Sequence, residues 1–141
     1  PYALAVIKAI RQNDKTGIIL VGSGAWSQNI HDPANDPIGY SNIAYTLHFY
    51  AGTHTAWLRD RIDFAMKKGI AIFVSEWGTT NASGNGSLFL SESDTWLNFL
   101  AQRKIGWVNW SYSNAGESSA ILTWNYALTQ SGQYIKRKMQ E

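Results

Sequence analysis

Ile70-Ala71-Ile72-Phe73-Val74-Ser75-Glu76-Trp77-Gly78 is the stretch on which the fold turns. Its first residues are apolar without alternation, as in a parallel strand covered on both faces, and the run passes without a break into a carboxylate. A parallel neighbour can be reached only through a crossover, and the flanking sequence supplies one on each side. Upstream, the spacing predicts a helix over residues 55–68, with Leu58, Ile62, Ala65 and Met66 on one stripe and Gly69 as its stop. Downstream, a Gly/Asn/Ser loop over 79–90 leads into a helix running to Lys104. There Trp96, Leu97, Leu100 and Ala101 recur at helical spacing, and Ser91 with Asp94 offers a capping-box-like start.

The same alternation extends outward in both directions. An Ala-rich helix over residues 2–12 precedes a β-branched run at 18–21; a long Asn/Asp/Pro/Gly-rich loop with room for one short helix fills 25–42. Strand-like residues 43–50 follow it, residues 106–110 form another short run, and a last helix covers about 129–140. Strands are thus expected near 18–21, 43–50, 70–76 and 106–110 within a single unit over residues 1–141, with no second domain. Their starts lie 25 to 36 residues apart, close to the ~31 obtained when a ~250-residue (β/α)8 barrel is divided by eight. A flavodoxin-like open sheet also alternates, but no Gly-rich phosphate loop joins a strand to a helix here, and Gly22-Ser23-Gly24 lacks a third glycine. The fold class is therefore α/β, about four parallel strands with helices outside, half of a TIM barrel.

Composition narrows the partners. Charged residues make up 16% of the 141 residues, while Trp and Tyr number 7 each, a surface poor in charge and rich in rings. A net charge of +2 is no nucleic-acid footprint, and the basic trio Lys136, Arg137 and Lys138 suits the negative end of the last helix. Without cysteine there is neither a disulfide framework nor a thiolate metal site. His31 and His54 fall in loops without a carboxylate cluster, so no metal is expected, and without a nucleotide fingerprint at Gly22-Ser23-Gly24 no organic cofactor is indicated. No apolar run approaches ~18 residues, which argues against a membrane span. The sequons at Asn81, Asn85 and Asn109 carry little weight, and Pro1 is read as a processed, cleaved or engineered start.

In a parallel barrel the chemistry lies at the strand tips. Those tips hold Trp26 beyond the first strand, His48 and Tyr50 at the second, Glu76 and Trp77 at the third, and Trp110 at the fourth. A period of two places Ala44, Thr46, His48 and Tyr50 on one face, and sends Trp107 toward helix packing and Trp110 toward the cleft. Rings that stack on sugar C–H faces, beside few charges, suit a polysaccharide cleft. From pattern alone Glu76 is either a catalytic carboxylate or a hydrogen-bonded charge at a strand end, and His48 either a site residue or a satisfied core histidine. Trp57 and Trp96 lie on helix stripes and are expected in the core.

Four segments taken in order are more specific: Gly24-Ala25-Trp26-Ser27-Gln28, Leu47-His48-Phe49-Tyr50-Ala51-Gly52-Thr53-His54, Val74-Ser75-Glu76-Trp77-Gly78-Thr79 and Trp107-Val108-Asn109-Trp110-Ser111. Together they closely resemble the C-terminal half of bacterial endo-β-1,4-glucanases of glycoside hydrolase family 5. The resemblance implies a retaining (β/α)8 enzyme in which Glu76 is the nucleophile at the end of the seventh strand. It likewise implies that His48 and Tyr50 orient that nucleophile, that Trp110 is the sugar platform beside it, and that Trp26 is an aromatic of the leaving-group side. Two departures accompany it. The family's acid/base glutamate sits in an Asn-Glu-Pro motif that is absent here, and the family loop matching residues 113–119 often carries a substrate-binding lysine where this chain has Ala115. Glu117 in that loop remains a candidate ligand of a sugar hydroxyl.

The implied function is retaining hydrolysis of a β-1,4-glucan oligosaccharide or polysaccharide, by a secreted enzyme or by a fragment of one lacking the general acid/base. An alternative is a non-catalytic glucan-binding half barrel, with Trp26, Trp110 and Trp77 as its stacking surface; another is an inert assembly fragment. An open half barrel exposes strand edges, so the expected partner is a missing N-terminal half or a second copy of the chain completing the barrel.

Overall fold

The computed structural model describes residues 2–141, so Pro1 and the reading placed on it lie outside them. The elements run α1 (Tyr2–Asn13), β1 (Ile19–Val21), α2 (Gly24–Ser27), α3 (His31–Asn35), β2 (Ile43–Tyr50), α4 (Ala56–Lys67), β3 (Ile72–Gly78), α5 (Leu90–Gln102) and α6 (Gln130–Lys138). The sheet has the order β1-β2-β3. β1 pairs parallel to β2, Ile19 opposite Ile43 and Val21 opposite Tyr45. The chain groups into two compact units: one runs up to Leu47 and takes in Asp60–Phe73, the other comprises His48–Arg59 and Val74–Glu141.

In the first unit, Ile7 of α1, Val21 of β1, Ala44, Tyr45 and Leu47 of β2, and Ile62 and Ala65 of α4 are buried. The Tyr45 amide donates to the Ala71 carbonyl at 2.8 Å, and Thr46 Oγ1 donates to Ser27 Oγ at 2.8 Å. Asp14 closes the turn after α1 by accepting from the Gly17 and Thr16 amides, and those amides hold its carboxyl below the usual range. The loop expected over 25–42 contains two short helical turns instead of one. In the first of them Ala25, Trp26 and Ser27 all have positive φ, 51°, 50° and 63°, a left-handed turn that costs each non-glycine residue energy. Gly69 ends α4 at φ 84°, as its sequence position predicts.

The second unit is built on stacked rings. Phe49 of β2 lies parallel to Trp96 of α5 at 3.9 Å and to Trp77 of β3 at 5.4 Å, while Trp107 meets Trp77 edge-on at 5.5 Å. The Trp96 indole donates to the His54 carbonyl at 2.6 Å, the polar handle that a buried indole needs. Strand pairing continues here through the Ala51 amide to the Gly78 carbonyl at 2.9 Å. The fourth run makes one parallel bridge, Val74 with Trp107, flanked by hydrogen bonds from Val74 to Gly106 and from Val108 to Val74. Thr129 caps α6 by accepting from the Gly132 amide at 2.9 Å, and Lys136, Arg137 and Lys138 occupy its last turn as the charge pattern predicts.

Three local expectations are corrected. α5 starts at Leu90 without a side-chain cap, because Asp94 is engaged by the Tyr134 hydroxyl at 2.9 Å and by Lys138 Nζ at 3.0 Å. Trp57 is 41% exposed, so the α4 stripe buries Leu58, Ile62 and Ala65 and leaves the indole at the surface. β3 begins two residues later than its apolar run, since residues 70 and 71 precede the first strand residue, Ile72, and it ends later, at Gly78.

Candidate active site

The tips of β2 and β3 within the second unit bring together the carboxylate, phenol and imidazole that the sequence singles out. The Tyr50 hydroxyl donates to Glu76 Oε1 at 2.9 Å. His48 Nδ1 lies 3.6 Å from Glu76 Oε2, so each carboxylate oxygen is faced by a different side chain. The other ring nitrogen of His48, Nε2, is 2.8 Å from Ser75 Oγ. His48 and Glu76 side chains are each about a quarter exposed, which leaves the carboxylate reachable from outside while its partners hold it. The period of two explains why His48 and Tyr50 act together: they share a face of β2.

Sequence reasoning missed three supports of this cluster. Gly78 lies so close to the Tyr50 ring that a Cβ there would sit 2.5 Å from Tyr50 Cε1. His54 is buried, and its Nδ1 accepts the Tyr50 backbone amide at 2.8 Å, anchoring the chain just after the phenol. Burial holds the His54 imidazole below its ordinary pKa, against the opposing pull of that hydrogen bond. Ser75 is the third, and the one available sign of it was a lone hydroxyl at the end of an apolar run. Burial raises the Tyr50 phenol well above its ordinary value; the hydrogen bond and charge of Glu76 push the same way, as does the charge of Glu117.

The aromatic candidates divide. Trp110 is 47% exposed, and its amide donates to the carbonyl of Trp77, the residue after Glu76, at 2.8 Å; the Trp110–Ser111 peptide is cis. Trp26 is 83% exposed on its left-handed turn in the first unit. Trp77 is a correction: it is fully buried between Phe49 and Trp107 and offers no face to a sugar. A strand covered on both faces buries the residue beside the site residue as well, so position at a tip does not imply exposure. Glu117 is half-buried, with Oε2 accepting from Ser119 Oγ at 3.4 Å. No cluster of His, Asp or Glu among the described residues could hold a metal.

A carboxylate held at a strand tip by a phenol and an imidazole is a group that can attack an electrophilic carbon. A family model described as cellulase (glycosyl hydrolase family 5) matches residues 1–116. Endoglucanase N of Pectobacterium atrosepticum is 57% identical over 122 residues, which cover 86% of this chain and 28% of that protein. The solved cellulase Cel5C_n superposes with a TM-score of 0.95 at 49% identity, covering 99% of this chain and 46% of that one. The catalytic domain of Thermobifida fusca endoglucanase Cel5A, solved in complex with cellotetraose, superposes with a TM-score of 0.92 at 31% identity over 99% of this chain and 51% of its own. The chain thus spans about half the length of the solved structures, and its parallel strands and helices match their α/β barrel over that half.

Proposed function

Since the chain belongs to the cellulase family of glycosyl hydrolases, family 5, we propose that it carries the nucleophile half of a retaining endo-1,4-β-glucanase. In this reading Glu76 attacks the anomeric carbon, forms a glycosyl-enzyme ester and is released by water. The observation that supports it is the pair of contacts on Glu76, Oε1 from the Tyr50 hydroxyl and Oε2 beside His48 Nδ1. Those contacts hold the carboxylate in one orientation before substrate arrives.

Within the second unit, Trp110 is the stacking platform next to the nucleophile and Glu117 an acceptor for a sugar hydroxyl; Trp26, exposed in the first unit, is by itself a ring on which a sugar can stack. The ligand is a β-1,4-glucan oligosaccharide or polysaccharide, and a polymer of that kind places the enzyme outside the cell. No described helix is long and apolar enough to cross a membrane. Retaining hydrolysis also needs a second carboxyl group ~5–5.5 Å from the first to protonate the leaving oxygen. With no Asn-Glu-Pro in the sequence, that acid comes from the part of the family fold these residues do not span, or from a second copy of the chain.

The test uses a leaving group that needs no acid. A 2-deoxy-2-fluoro-cellobiosyl fluoride loses fluoride ion as the Glu76 carboxylate bonds to C1, and the fluorine at C2 slows release of the ester. Mass spectrometry is expected to find one cellobiosyl group on the peptide bearing Glu76, and none on Glu76→Gln. Cellotetraose binding without any labelling would replace this reading with a non-catalytic glucan-binding module, while neither binding nor labelling would leave an inert assembly fragment.

A further inference from the structure

Ser75 stands on β3 directly before Glu76, and its hydroxyl is 2.8 Å from His48 Nε2, whereas His48 Nδ1 is 3.6 Å from Glu76 Oε2. A neutral imidazole carries one proton, and the hydrogen bond made by one ring nitrogen decides which nitrogen holds it. Serine can donate or accept, but an ionised carboxylate only accepts. If Ser75 accepted from an Nε2 proton, the bare Nδ1 lone pair would face the carboxylate and the two would repel. If Ser75 donates to Nε2, the proton sits on Nδ1 and points at Glu76. At 3.6 Å the Nδ1 contact is too long for a hydrogen bond, but the carboxylate's charge still disfavours a lone pair aimed at it, which leaves the Ser75 hydroxyl as the donor to Nε2.

We propose that Ser75 is a positioning residue: by donating to His48 Nε2 it fixes the Nδ1–H tautomer, so that both oxygens of Glu76 are faced by proton donors, Tyr50 on one and His48 on the other. The long Nδ1 contact is then the open form of a hydrogen bond that tightens when a sugar occupies the cleft. Its consequence for the reaction rests on Glu76 being the nucleophile, but the tautomer is a property of the free protein and is measured without substrate.

The neighbouring His54 supplies an internal reference. Its Nδ1 accepts the Tyr50 amide, so its proton is on Nε2. Nitrogen-15 NMR of the histidine rings in the intact chain, at a pH well above the ordinary imidazole range, separates protonated from bare ring nitrogens by a large shift difference. The expected spectrum has opposite tautomers at the two sites, bare Nε2 at His48 and bare Nδ1 at His54. In Ser75→Ala the His48 signal is expected to shift toward the Nε2–H form that free side chains favour, with the His54 signals unmoved as proof of folding; Ser75→Thr, which keeps the hydroxyl, restores it. A bare Nδ1 at His48 in the native chain overturns the proposal, and so does an unchanged tautomer in Ser75→Ala. Fluorosugar labelling of Glu76 is read separately, so a failure of the tautomer assignment and a failure of the nucleophile assignment are distinct outcomes.

Discussion

Gly78 and Tyr50 are in contact so close that the ring of one occupies the space where a side chain on the other would start, 2.5 Å from a hypothetical Cβ to Tyr50 Cε1. The glycine after Glu76 and Trp77 is therefore part of the machinery that aims the phenol. Gly78→Ala is expected to push the ring off Glu76 and to cost about 1–3 kcal/mol of stability as an overpacked site. Denaturant melts would show the loss, and fluorosugar labelling of Glu76 would slow even in the folded fraction.

The phenols of Tyr50 and Tyr134 are both raised by burial, with Glu76 and Asp94 as their respective acceptors. An unfolded tyrosine loses its proton near pH ~10, so above that pH the unfolded chain binds fewer protons than the folded one and stability falls as pH rises. Below it the contribution is complete. Spectrophotometric titration is expected to show two late-ionising tyrosines in the folded protein and one in Tyr50→Phe, whose alkaline loss of stability is correspondingly shallower. Equal late titration in both proteins would remove Tyr50 from this role.

His54 has the opposite sense. Its pKa is lowered by burial, so it contributes stability above the ordinary histidine value of ~6.5, and this is lost as pH falls below that value toward the folded pKa. Melting temperatures measured from about pH 7 down to about pH 5 should decline, and less steeply in His54→Ala. That variant is also expected to lose about 1–3 kcal/mol at neutral pH, because the Tyr50 amide is left without its acceptor.

Trp77 and Trp110, two members of one stacking surface in the sequence reading, part company in the structure. Trp77→Ala empties the centre of the ring stack and is expected to cost about 3–5 kcal/mol, with no specific effect on sugar binding in whatever remains folded. Trp110→Ala leaves the melt nearly unchanged and weakens cellotetraose binding roughly five- to tenfold, about 1 kcal/mol. Calorimetric titration beside thermal unfolding distinguishes the two; a reversed pattern would contradict the assignment.

Much of this was legible in the residues. Strand β2 matches its predicted span, because its period of two is visible in Thr46, His48 and Tyr50. Glu76 was legible because a carboxylate at the end of an apolar run is costly unless something holds it. Trp77 was misplaced because a parallel strand has no solvent face for alternation to report. The left-handed turn at Ala25, Trp26 and Ser27 escaped notice since no glycine marks it. Ser75, His54 and Gly78 owe their roles to partners 27, 4 and 28 positions away, and only folding reveals which distant group a small side chain meets.

The supports of Glu76 also have an unusual economy. Residues 48–54 and 75–78 contain Tyr50, His48, Ser75, His54 and Gly78, and all of them fall within the second unit. Two short peptides therefore hold these contacts around the Glu76 carboxylate, and grafting those two peptides onto adjacent parallel strands of an unrelated barrel should transplant them intact.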